Sequence, residues 1–418
     1  MAPSDLDNAL AAITYAEGGY VDKACALLGG IVDDVLRVIV SAYVYHITGR
    51  GCPGVDLCSE FERVNKRLNE LEVQVGSNPM AFLDNHPELG KYLEWRGLRS
   101  TGEALSFVIK EARAFALSGL GACALDKGDL ANAEDYFGDA ATVSREIGNW
   151  RNYLINRRRA ISVKVLRGEE LGSAVSEFKK LWDEALQNMV PTTPYLRTAA
   201  HVLSNYLITL ALMGRHEDTE KLLREHGKLL DVNKQLSVST RLALRYLGVD
   251  VRVPSNEEVL DAIKPYIFSA LLPALSEILG VPVNDASELC ARSEDSRLCT
   301  IAYMAVRGDK KAEKAIKQPN VNVLSRAGVP RDLLEGISVE QLIEVYAPRS
   351  SLEHFILLLR ALVNGDRVLA LLHAEVGRVR LGYSVPPAKL FGELAKALRS
   401  NDEAGVRWAL AKLYYLHL

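Results

Sequence analysis

Apolar residues recur along this chain at intervals of three and four. Leu117, Leu120, Gly121, Ala124 and Leu125 form one such series, and Leu203, Leu207, Leu210 and Ala211 form another. This is the helical period, in which positions i, i+3 and i+4 share a face. Alternation of apolar and polar residues over the length of a strand is nearly absent. Val249–Val253 (VDVRV) is the one stretch with strand character, and Pro254 ends it. The pattern predicts an all-α fold.

Glycine, asparagine and proline punctuate the helices. Gly18 and Gly19 separate a helix over Leu6–Glu17 from a long helical segment, Val21–Thr48. A loop follows at 49–57, then an amphipathic helix over Glu60–Val73 and an irregular link over 76–90. From Thr101 onward the helices become regular in length. Breaks are expected at Gly128, Gly168, Pro191–Pro194, Gly214, Val249–Asn256, Pro282–Ala286, Gly308, Pro319–Pro330, Pro348, Gly365, Pro386–Pro387 and Asn401. Such residues end a helix through a left-handed cap or a missing donor. Elements of roughly 10 to 18 residues with short links describe antiparallel helix pairs. Three segments follow from this spacing: 1–95, 96–250 and 251–418.

Residues 119–140 read GLGACALDKGDLANAEDYFGDA. Gly128 stops one helix, and Asp129 is placed to cap the next by accepting from its first free amides. Leu120, Gly121 and Ala124 make a face small enough for close approach, answered by Ala133, Phe137 and Ala140. With Leu117, these positions resemble a tetratricopeptide repeat, the 34-residue helix–turn–helix unit. The resemblance covers residues 101–230 and extends loosely over the C-terminal half, through pivots at Gly168, Gly214, Gly308, Gly365 and Asn401. The pivots are unequally spaced, which implies an irregular solenoid of antiparallel pairs. The first 95 residues, through Leu10, Ile13, Gly19, Tyr20, Ala24 and Leu27–Ile47, resemble a small archaeal helical bundle of the HEPN type, and equally one more degenerate repeat pair.

The tetratricopeptide resemblance implies a protein-interaction scaffold. In such arrays the first helix of each pair lines a concave groove that receives a peptide or a partner's helix. Here those helices are 114–126, 153–166 and 199–213. The middle one carries Arg157, Arg158 and Arg159 (NRRRA), with Arg151 and Lys164 nearby, and the third offers His201, Ser204 and Asn205. In residue type these resemble the carboxylate-gripping clamp of chaperone-binding members, although the full Lys/Asn set is absent. Guanidinium forks suit carboxylates because two parallel donors meet two oxygens. The expected partner is a protein or peptide, for which an acidic docking segment is one reading of the basic run; the other is a solvated basic helix face with ordinary salt bridges. The alternative is a nucleic-acid-associated helical protein of defence or toxin type with a HEPN-like N-terminal bundle.

Composition adjusts this picture only a little. The chain has 418 residues, 48% of them apolar, and a formal net charge of −3. A global nucleic-acid footprint would be strongly basic. Met1–Asp7 is polar and acidic with no positive n-region, so no secretory leader is read and a cytoplasmic location is expected. Tyr266–Val283 is apolar, but Pro273, Glu277 and Pro282 interrupt it. A buried helix pair is expected there, not a membrane span. The six cysteines, Cys25, Cys52, Cys58, Cys123, Cys290 and Cys299, form no CxxC and are read as reduced, buried thiols. Cys52 and Cys58 flank a Pro-Gly turn, where a disulfide would close a small loop. Cytosolic disulfides are rare outside hyperthermophiles, toward which the low Gln and Met content leans.

Catalytic, cofactor and metal residues are not found in this pattern, and no enzymatic activity is expected. The HEPN-type Arg and His spacing is missing before His46, where the nearest arginine is Arg37. It recurs at Arg349–His354 and Arg367–His373, both expected inside repeat helices and both as frequent as chance allows. Asp33 and Asp34 are adjacent, so on one helix they would point about 100° apart. Glu169, Glu170, Glu257 and Glu258 sit at expected helix starts, where they complement the amide dipole. His226, beside Gly227, reads as a helix C-terminal residue. The last helix, Ala404–Leu418, is apolar on two sides: Trp408, Ala411, Tyr415 and Leu418 on one, Leu410, Leu413 and Tyr414 on the other. Its second side is expected to be covered by the chain folding back or by a homodimer contact.

Overall fold

The computed structural model describes residues 3–168, 170–263, 270–381 and 386–417. Among these residues the chain is helical throughout and contains no strand. It divides into two compact units: Met1–Arg167 with Asp183–Asn188, and Gly168–Trp182 with Met189–Leu418.

The first unit contains α1 (Asp5–Glu17), α2 (Val21–Gly29), α3 (Asp34–Thr48), α4 (Leu57–Ser77), α5 (Pro79–Asn85), α6 (Pro87–Trp95), α7 (Gly102–Lys127), α8 (Leu130–Glu146) and α9 (Trp150–Leu166). Side-chain caps start most of them. Ser4 and Asp7 form a reciprocal capping box on α1. Asp33, Asp56, Thr101, Asp129 and Asn149 each accept from a backbone amide of the turn that follows. Each such cap is worth about 1 kcal/mol. Gly128 adopts the left-handed conformation, φ +77°, and closes α7 where the sequence places the stop.

α7 is the spine of this unit. It is buried on several sides from Leu105 to Ala124, and it packs against α3, α4 and α8. Two glycines allow this. A Cβ at Gly119 would lie 2.3 Å from the Phe61 ring of α4, and one at Gly121 would lie 2.7 Å from the Phe137 ring of α8. Ala124, Ala133, Phe137, Ala160 and Val163 then close a small core between α7, α8 and α9. The hairpin expected from residues 119–140 is present.

Several expectations need correction. The segment Val21–Thr48 is two helices, because the chain turns at Gly30 and Asp33 caps a fresh start. The link at 76–90 is largely helical, since Pro79 and Pro87 each occupy a first helical position, where the missing amide costs nothing. The apolar core runs without a break from Ala9 to Cys123, so a boundary at residue 95 cuts through packed side chains. The cysteines are not reduced: Cys25 pairs with Cys52, Cys58 with Cys123 and Cys290 with Cys299. Cys52 and Cys58 therefore do not join each other. Each is taken by a helix distant in sequence, and Cys58–Cys123 ties α4 to α7 across a separation of 65 residues.

α10 (Leu171–Gln187) contributes residues to both units. The second unit continues with α11 (Thr193–Leu212), α12 (His216–His226), a 3-10 turn at Gly227–Val232, α13 (Lys234–Tyr246), α14 (Asn256–Ile263), α15 (Leu272–Ile278), α16 (Ala286–Ala291), α17 (Ser296–Val306) and α18 (Lys310–Arg326). It closes with α19 (Arg331–Glu335), α20 (Val339–Tyr346), α21 (Ser351–Val363), α22 (Arg367–Leu381), α23 (Pro386–Arg399) and α24 (Glu403–His417). Gly214, Gly308 and Gly365 take left-handed φ at the expected pivots, and so does Asn401, the one non-glycine with positive φ among the described residues. Val249–Val253 pairs with no strand; Val249 and Val251 are buried as extended chain leading to α14. Pro319 does not break its helix, because α18 carries it between the buried anchors Ile316 and Leu324. Residues 264–269, which include the start of the apolar stretch Tyr266–Val283, lie outside the described residues; in the rest of that stretch one largely buried helix, α15, forms at Leu272–Ile278. Glu169 and Leu418 also lie outside the described residues. No helix among the described residues is long and apolar enough to cross a membrane.

The C-terminal helix is covered from within its own unit. Leu410, Ala411, Leu413, Tyr414 and Tyr415 are all buried, and α24 packs against α23, α11 and α21. Tyr415 stacks on Phe178 with ring centroids 6.4 Å apart, and Tyr414 meets Phe355 edge-on at 6.3 Å. This packing covers much of the apolar surface on both sides of the helix, with Trp408 left half-buried.

Gly121→Val is expected to destabilise the protein by about 1–3 kcal/mol in urea unfolding, because the Phe137 ring has nowhere to retreat. Gly138→Ala, on α8 with open space around its Cβ, is expected to stabilise by about 0.5–1 kcal/mol. Thiol quantitation in denaturant is expected to find no reactive cysteine before reduction and six afterwards. Loss of Cys58–Cys123 alone is expected to cost about 4 kcal/mol, given the 65-residue loop it closes.

Candidate functional site

α9 starts on the Asn149 cap, and its period aligns Asn152, Asn156, Arg159 and Val163 along one line toward the core. Arg159 is half-buried on that line. Its Nη1 donates to Ser118 Oγ of α7 at 3.4 Å, and its guanidinium carbon sits 5.4 Å over the Phe137 ring of α8. Ser118 is fully buried. His46, near the end of α3, stacks on Phe115 with centroids 4.7 Å apart and planes 30° apart. Burial, then the charges of Arg159 and Arg151, hold the His46 imidazole down at about 4, so it is neutral at pH 7.

The guanidinium of Arg159 faces no carboxylate among the described residues. Burial alone pulls its pKa below the usual value. Other arginines of this unit are neutralised: Arg67 by Asp34 at 2.8 Å, Arg96 by Glu111 at 2.5 Å, Arg113 by Glu72 at 2.8 Å and Arg167 by Glu134 at 2.5 Å. Arg159 keeps its charge at any physiological pH and presents N–H donors that one serine hydroxyl leaves largely unused. The arrangement suits an anionic group, and the neutral His46 adds no competing charge.

The sequence-predicted clamp is divided by the structure. Arg157, Arg158 and Arg159 lie in the first unit, all half-buried. Neighbours on a helix diverge by about 100°, so the three do not share one face. His201, Ser204 and Asn205 belong to α11 of the second unit, where His201 is half-buried and the other two are fully buried. Ser204 is bound to Tyr414 and, at 3.2 Å, to Thr240, while Tyr414 and Thr240 meet at 2.6 Å. Ser204 and Asn205 therefore line no open groove, because α24 packs its tyrosines over that face of α11. Reading the sequence missed Ser118, Phe137 and His46. The sequence reads the helix 114–126 as groove-lining, but nothing local marks one serine in it.

The two Arg–His spacings do not assemble as pairs. Arg349 bonds Glu294 at 2.6 Å and Arg367 bonds Glu403. Their histidines meet each other instead, with His354 Nδ1 3.4 Å from His373 Nδ1 in the core, and His373 Nε2 3.7 Å from Glu344, which Arg360 also holds. Burial, then the nearby His373 and Arg380, keep His354 well below the ordinary imidazole range.

Asp33 and Asp34 also differ from expectation. Asp33 is the cap of α3 and lies outside the helix, so the 100° divergence does not apply. Its carboxylate, that of Asp34 and the His86 ring come within 4.8 Å of one another. Each already has a protein partner: Asp33 takes the amides of Val35 and Leu36 and the His86 ring, and Asp34 takes Arg67.

Comparison of the chain with protein-family models, with characterised proteins and with solved structures gave no match. The functional reading therefore rests on the geometry alone.

His46 and His354 have folded-state pKa values below the ordinary value near 6.5. The unfolded chain then binds more protons below that pH, and stability falls as pH falls. Between pH 7 and pH 5 the loss from His46 alone is expected to reach about 2 kcal/mol. Urea midpoints of the wild type and His46→Gln at the two pH values check this, with the variant losing less on acidification.

Proposed function

We propose that this chain is a binding scaffold built of tetratricopeptide-like helix pairs, and that it docks an acidic peptide segment of another protein by placing a carboxylate against Arg159. Binding without catalysis is the activity assigned. The observation that carries the reading is the half-buried guanidinium of Arg159, held by a serine hydroxyl and an aromatic ring and lacking a counter-ion among the described residues. Keeping a charge out of water without a partner is costly. A carboxylate from outside would remove that cost and form charge-assisted bonds.

Of the site residues read from the sequence, Arg159 is the one retained at the centre. Arg157 and Arg158 flank it on α9. Ser204 and Asn205, buried in the second unit, are not assigned to the docking surface. The paired cysteines bear on location: disulfides are rare in the cytosol outside hyperthermophiles, so a cytoplasmic site would go with such an origin.

The test uses a fluorescein-labelled amphipathic peptide rich in Glu and Asp, against the same peptide with amides in their place. The acidic peptide is expected to bind at least about tenfold more tightly, and Arg159→Ala to remove that preference. His46 supplies a second readout. The imidazole is held at about 4 by burial and then by the Arg159 charge, and a carboxylate docked on Arg159 changes both, so the His46 titration followed by NMR should shift on binding of the acidic peptide. Equal binding of both peptides, or an unmoved His46, would overturn the reading. So would tighter binding of a single-stranded RNA oligonucleotide with the steep salt dependence of multiple phosphate contacts.

A further inference from the structure

The first unit also holds a cavity of about 210 Å³ between α1, α3, α6 and α7. Four aromatic rings wall it in two pairs: Tyr43 edge-on to Phe115 at 5.6 Å, and Tyr92 stacked with Trp95 at 6.0 Å. Trp95 stands at the rim with 54% of its surface exposed, a large ring left in water. Below the rings the lining is aliphatic, through Ile13, Ile39 and Val108.

The polar groups of this cavity are unequal in charge. Glu111 is paired with Arg96 at 2.5 Å. Glu17 accepts only from the neutral Tyr43 hydroxyl, at 2.8 Å, and has no cationic partner among the described residues. One carboxylate charge is thus left over at a cavity lined by aromatic rings, whose faces are themselves electron-rich. Tyr43 registers this field: burial, then Glu17 and Glu111, push its phenol above the usual range, so it stays protonated and donates to Glu17. An anion would meet an uncompensated carboxylate here, and a neutral apolar ligand would strip water from that carboxylate without replacing it. A cation satisfies both the carboxylate and the rings.

We propose that this cavity is a binding site for a small organic cation, an ammonium head with a short body, with Glu17 as counter-ion and Tyr43, Tyr92, Trp95 and Phe115 as its aromatic walls. The volume holds roughly seven water molecules' worth of liquid, which limits the ligand to about the size of choline. The cavity shares the Phe115 ring with the His46 neighbourhood of Arg159 and has the opposite charge preference.

The test titrates the full chain with choline and, separately, with 3,3-dimethylbutan-1-ol, its neutral isostere, following binding by calorimetry and by the indole resonances. Choline is expected to saturate and to bind about tenfold more tightly than the isostere. Glu17→Gln and Trp95→Ala are each expected to weaken choline about tenfold. Far-UV circular dichroism should stay at wild type for both, and so should the melting temperature of Glu17→Gln, whose side chain is exposed; Trp95→Ala loses its stack on Tyr92 and melts somewhat lower. Equal binding of choline and the isostere, indifference to Glu17→Gln, or no saturation by choline or tetramethylammonium up to about 50 mM would each overturn the proposal.

Discussion

Helix α7 can lie against α4 and α8 at once only because Gly119 and Gly121 present no Cβ toward Phe61 and Phe137. The missing Cβ atoms let the two large rings pack directly onto the α7 backbone and fill the space that side chains would otherwise take. The same spine carries Ser118 to the Arg159 guanidinium and Phe115 to the His46 ring, and it supplies Glu111 and Phe115 to the aromatic cavity. Both candidate sites of the first unit thus depend on one packing condition. Cys58–Cys123 fastens α4 to α7 within the same packed region.

Charge balance separates structure from function within this unit. Most of its buried or half-buried charges are neutralised in place, as Arg96 is by Glu111 and Arg113 by Glu72. Arg159 and Glu17 are not: Arg159 lies half-buried over the Phe137 ring, and Glu17 lines the aromatic cavity. For half-buried Arg159 the missing counter-ion carries a desolvation cost that a ligand of opposite charge removes, whereas exposed Glu17 is solvated and offers its charge to a ligand in the cavity.

The second unit spends its polar residues differently. Ser204, Thr240 and Tyr414 satisfy one another in the core, and Thr209 and Tyr415 meet at 2.5 Å. His354, His373, Glu344 and Arg360 form a second buried cluster. Such networks fix the register of packed helices, because a slip would leave several polar groups without partners. They explain why α24, apolar on two sides, finds one position: its tyrosine hydroxyls have partners only there.

The sequence by itself determined the helical class, the Asp129 cap and many of the places where helices stop, though not the turn at Gly30 or the passage of α18 through Pro319. Gly128, Gly168, Gly214, Gly308, Gly365 and Asn401 all take the left-handed conformation expected of them. These are local properties, set by a residue's own backbone freedom and by the few amides next to it. Arg159 was legible as part of a basic run on an inner helix, but its lack of a counter-ion was not. That is a statement about which carboxylates, far away in the chain, come near. The same holds for the cysteine pairing, for the burial of Ser204 and Asn205, and for the cavity assembled from α1, α3, α6 and α7. Each depends on contacts between residues tens to hundreds of positions apart, which helical periodicity does not encode and only the packing of the folded chain decides.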